Sequence, residues 1–134
     1  MKLTPLSTLL ALALGAGAAG AHHSIAAFDG SRTMRLTGVV TGFRWINPHV
    51  SVEIDAAGEG DAPARWTVEM TAPNSLMDEG WKRDTLSVGD RITVFAHPLR
   101  DPAPGVHRGL YAGIILADGR TLGRVDAGGH AGEQ

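Results

Sequence analysis

Six histidines stand in a chain of 134 residues that has no cysteine: His22, His23, His49, His97, His107 and His130. Neutral imidazole is the commonest protein ligand for copper, zinc and nickel. With no thiolate available, zinc–cysteine sites, nucleophilic cysteine and CxxC redox chemistry are all excluded. The adjacent pair His22–His23 follows a run of small residues, and its chemistry depends on where the chain is cut. Cleavage after Ala21 makes His22 the N-terminus, so its α-amine and one ring nitrogen chelate a single metal. A third nitrogen from His49 or His97 then completes a T-shaped Cu(II) site, a histidine brace. Cleavage one residue earlier leaves Ala-His-His, which binds copper or nickel through backbone amides. Near neutral pH the metal must displace the amine proton in either case. The competing reading is a solvated or docked end with no physiological metal. His107 and His130 lie in loop and tail sequence and are weaker ligand candidates.

Residues 1–21 read as a secretory signal peptide. Lys2 precedes the apolar run Leu9 to Leu14, and Ala19-Gly20-Ala21 fits a small-x-small cleavage site. The run is too short to span a bilayer, which takes roughly 20 residues, and no other stretch comes close. The expected product is periplasmic or secreted in a bacterium, with no membrane span after cleavage. Residues 22–125 then form one domain, and residues 126–134, DAGGHAGEQ, form a disordered tail. The formal charge of −2, with both signs interspersed, gives no basic stripe for nucleic acid.

The domain that must position these residues alternates with period two. MRLTGVVTGFRW, residues 34–45, reads as a long strand in which Gly38 and Gly42 mark a bulge or bend. Pro48 opens HVSVEIDA, where Val50, Val52 and Ile54 face one side and His49, Ser51 and Glu53 the other. After a turn at 56–63 comes ARWTVEM, with Trp66, Val68 and Met70 on one face. PNSLMDEGW, residues 73–81, reads as one or two helical turns, with Asn74 and Ser75 as caps and an end near Gly80. A turn at SVGD leads into RITVFAHP. HRGLYAGIILADG follows, and Asp118-Gly119 turns into a short return strand. The expected fold is all-β: a five- to six-stranded OB-like barrel with one short helix between strands 3 and 4. An open β-sandwich is the alternative.

A second chemical cluster is WINPH. Trp45, Asn47 and His49 meet at the entry to the second strand, next to the strand 2–3 face that OB-folds use for ligands. It is either a metal-free binding surface for a small molecule or protein partner, or a structural corner. HPLRD places His97 before a proline at a strand end. In DEGWKRD, Trp81 is expected to anchor a solvated helix end to the barrel. No catalytic arrangement emerges: there is no GxSxG elbow and no phosphate-binding Gly-rich loop. The chain is therefore read as a binding module, not an enzyme, and as a monomer.

HHSIAAFD, WINPHV, GWKRDTLSVGD, HPLRD and LADGRTL, in this order, resemble a family of small exported bacterial proteins known as a domain of unknown function. Its members begin HHS-F-x-x-F-D and carry W-x-NPH at the second strand. The resemblance covers about Ala21 to Leu122 and implies an exported single domain of small β-barrel type. It places motif positions on His22, His23, Ser24, Phe28, Asp29, Trp45, Asn47, Pro48, His49, Gly80, Trp81, His97 and Pro98. Ala26 departs from the pattern where a bulky apolar residue is usual, and DPAPGVH replaces a tighter turn. The family implies no activity.

Overall fold

A computed structural model describes residues 25–57 and 62–126. The expected signal peptide, His22, His23, Ser24, His130 and residues 127–134 of the tail lie outside the described residues. Among the described residues there are six strands: β1 Met34–Arg44, β2 Ser51–Ala57, β3 Ala64–Glu69, β4 Arg91–Pro98, β5 Arg108–Ile115 and β6 Thr121–Gly123. One helix, α1 Pro73–Asp78, separates β3 from β4.

The sheet runs β3-β2-β1-β4-β5, and a parallel pairing of β3 with β5 closes it into a five-stranded ring. All other pairings are antiparallel. This is the expected OB-like barrel, with β6 outside the ring. β6 pairs with Gly113–Ile115 of β5, beyond the Arg108–Leu110 stretch that β3 uses. Closure removes most of the edges that an open sandwich would leave.

Alternation builds the core. Val50, Val52, Ile54 and Ala56 turn inward from the second strand and its entry, against Leu36 and Val40 of β1, Val68 of β3, Val94 of β4 and Ile114 of β5. β1 serves two partners, β4 along its first half and β2 along its second, so it has to bend. The bend is the bulge between Val40 and Gly42. Gly38 serves a separate purpose. A methyl there would run into the Asp55 carbonyl and Ala56, so glycine is what lets β2 lie so close.

The helix starts differently from expectation. Neither Asn74 nor Ser75 caps it. Ala72 is the N-cap with no side-chain bond, and Pro73 fills the first helical position. Proline suits that position because it has no N–H to satisfy and its φ is already helical. The end is as expected. Gly80 takes φ +97°, its N–H donates to the Met77 carbonyl (3.0 Å) and the Trp81 N–H donates to the Leu76 carbonyl (3.0 Å). This Schellman pair turns the next side chain back onto the helix. Trp81 is only 1% exposed, a core residue and more than an anchor at a solvated end. Its indole N–H donates to the Tyr111 hydroxyl (3.1 Å), and its ring meets Tyr111 edge-on and Phe43 at a tilt.

Candidate functional site

Three places carry the residues of interest. The first is where the described chain begins. Phe28 is buried and bridges Leu99 just past β4. The Asp29 N–H donates to the Pro98 carbonyl (2.8 Å), and the Arg100 N–H donates to the Ala27 carbonyl (2.9 Å). The Arg100 guanidinium adds a bond to the Ala26 carbonyl (3.3 Å). The Asp29 carboxylate accepts from the Ser31 hydroxyl (2.6 Å) and backbone N–H (3.2 Å). Those bonds, the hydroxyl foremost, hold its carboxyl below the usual range, with Arg100 helping. Phe28 and Asp29 of the HHSIAAFD stretch thus act as a staple.

His97 stands beside this staple, near the end of β4. Its Nδ1 lies 2.7 Å from the Arg32 carbonyl oxygen. A carbonyl only accepts, so Nδ1 carries the proton and donates, and Nε2 keeps the ring's lone pair. Metal-ligating histidines are commonly oriented in this way. His97 also lines a small polar cavity of about 200 Å³ together with Ser31, Thr33, Arg124 and Asp126.

The second place is the corner before β2. Trp45 is half-buried, its ring 5.9 Å from Phe43 and packed against the core. Asn47 and Pro48 are exposed and joined by a cis peptide. His49 points outward, and its Nδ1 donates to the Met70 carbonyl (3.2 Å). The adjoining outer face of β2 and β3 is polar, with Asp55 and Arg65 joined by two bonds of 2.8 and 3.0 Å. Burial supports the corner's structural side, while Asn47 and His49 remain open to solvent.

His49 and His97 are not neighbours. The ladder runs from Ser51 to Glu69, Leu110 and then His97, three interstrand steps that make on the order of 14 Å along the barrel wall. Among the described residues, no group of three or more His, Cys, Asp or Glu side chains is placed to hold a metal ion.

The third place was not singled out by the sequence. Trp66 of β3 meets the His107 ring at 5.0 Å, and the Thr67 N–H donates to the His107 carbonyl (3.0 Å). These rings floor a cleft of about 520 Å³ walled by Pro63, Pro102, Pro104 and Val106. His107, expected to be a solvated loop residue, is therefore partly packed. The available signal was the pair Pro102 and Pro104 before it, whose fixed φ stiffens the loop into a wall.

No curated protein and no solved structure matches the chain. A family model does match, over residues 10–109, from within the apolar run through the barrel into the start of β5. On that match, the chain belongs to the family of unknown function DUF6152.

Proposed function

We propose that this domain is an exported, non-enzymatic binding module of the bacterial periplasm or exterior that holds Cu(II) through its N-terminal histidines. The observation that carries this reading is the staple. Bonds from Pro98 and Arg100 fasten the chain only a few residues beyond His22 and His23, next to His97. His97 brings a ring whose Nδ1–H is already committed to a carbonyl, so Nε2 is the donor it can offer. The donor set is the His22 amine and imidazole, with His23 assisting and His97 as third ligand, a nitrogen set that suits Cu(II). His49 is the poorer third ligand, since the staple holds the N-terminal chain against the end of β4 and not against the corner before β2.

The metal-free alternative, a ligand- or protein-binding surface on Trp45, Asn47 and His49, gains less. Trp45 is engaged with Phe43, and His49 with Met70.

The test is a Cu(II) titration against a weak competing chelator, read by native mass spectrometry on protein recovered after export. The intact mass fixes the N-terminus. One copper should survive competition, and His97→Ala should weaken its retention at least about tenfold, while His49→Ala and His130→Ala leave it unchanged. Retention no better than that of a free His-His-Ser peptide would end the copper reading.

A further inference from the structure

β3 is paired along its whole length on one side only. β2 covers it from Ala64 to Glu69, whereas β5 reaches only Thr67 to Glu69. The Met70 N–H donates to the Val50 carbonyl of the β2 side, and the Thr67 N–H donates to His107 on the β5 side. Backbone groups alternate along a strand, so those of Trp66 face β2 and those of Arg65 face the β5 side. No β5 residue stands opposite Arg65. Its N–H and C=O therefore point in the sheet plane, toward the cleft between β3 and residues 102–107.

That cleft has a distinct chemistry. Its volume of about 520 Å³ lies within the usual range of ligand sites. Among the described residues, no Lys, Arg, Asp or Glu lines it. The cationic side chains nearest in sequence are committed elsewhere: Arg65 pairs with Asp55 (2.8 Å) and Arg108 with Glu69. A phosphate backbone or an anionic lipid headgroup would find no cation here. Among the described residues that line it, a saccharide would find only the His107 ring and the Trp66 indole N–H, and no side-chain hydroxyl, amide or carboxylate to read its hydroxyl groups. What the cleft does offer is an unpaired strand edge above an apolar aromatic floor, the combination used in β-strand addition.

We propose that this cleft takes an extended, uncharged peptide segment of a partner protein. The segment adds a short strand to β3 at Arg65 and lays one apolar side chain against Trp66. Main-chain bonds hold the segment, and the pocket between Trp66, Pro104 and Val106 selects its side chain. The site contains neither His97 nor the N-terminal histidines, so it stands or falls separately from copper retention.

The experiment uses the mature domain labelled with ¹⁵N. It is titrated with five capped pentapeptides of the form Thr-X-Thr-X-Thr, where X is Val, Leu, Ile, Met or Phe. Each is compared with the same peptide N-methylated at alternate amides, and with maltopentaose. At least one peptide should shift the Arg65, Trp66 and Val106 amides, and N-methylation should weaken it tenfold or more. Val106→Asp, a change at a side chain 38% exposed, should abolish binding without moving the unfolding midpoint. No shift with any peptide, undiminished binding of the N-methylated forms, or tighter binding of maltopentaose would each overturn the proposal.

Discussion

Trp81 and Trp66 show two uses of one residue type in one small barrel. Trp81 is sealed between α1 and β5, with its N–H matched to Tyr111 and its ring against Phe43. Trp66 leans against the core from a half-open position, with a single ring neighbour, His107, and an adjacent strand edge that stops pairing. The first arrangement contributes stability, the second leaves contact area for something else. The difference arises from their neighbours in sequence. Gly80 ends a helix and swings Trp81 inward, whereas the chain around Trp66 is a strand that outruns its partner.

The largest test of this contrast is a pair of truncations. Trp81→Ala should cost about 3–5 kcal/mol in urea unfolding, the usual loss for a buried large aromatic. Gly80→Ala comes next, at about 1–2 kcal/mol, because its φ of +97° disfavours any L side chain and the new methyl would press on Leu122. Trp66→Ala should cost only about 1 kcal/mol, in line with partial burial. Equal losses for the two tryptophans would break the comparison. The smallest effect is visible only in alkali. Burial holds the Tyr111 phenol above its ordinary value of 10.0, although the Trp81 indole bond opposes this. As the pH passes about 10, the unfolded phenol loses its proton while the folded one keeps it, so stability falls with further rise. Tyr111→Phe should flatten that alkaline slope in a stability–pH series. An unchanged slope would mean that the phenol is not buried against Trp81.

Much of the barrel was legible because its strands alternate cleanly. Val50, Val52 and Ile54 announce the buried face of β2, and Gly42 announces the bend in β1. Gly80 announces the helix end because a positive φ has few other occupants. The helix start was misread because Asn74 and Ser75 are good caps in general, but Pro73 had already fixed the first helical residue and left less to cap. The depth of Trp81 was hidden in DEGWKRD, where charged neighbours suggest solvent and only the turn geometry shows otherwise. The candidate sites were less legible still. Nothing in linear order shows that three strand steps separate His49 from His97, or that Phe28 would fix the N-terminal chain beside His97. Nor does alternation along β3 reveal that β5 begins opposite Thr67, which is what opens the edge at Arg65.

The closing pair of the barrel has a kinetic consequence. β3 and β5 join through three residues each, Thr67–Glu69 with Arg108–Leu110, segments about forty positions apart in the chain. Every other seam of the ring is a longer ladder. Loop closure makes such a contact slow to form, and its shortness makes it the seam with fewest bonds to lose. The ring therefore behaves as a bracelet with one small clasp. The Thr67 and Glu69 amides, which face β5, should exchange with solvent before those of β1, and anything that braces the β3 edge would slow the opening of the whole barrel.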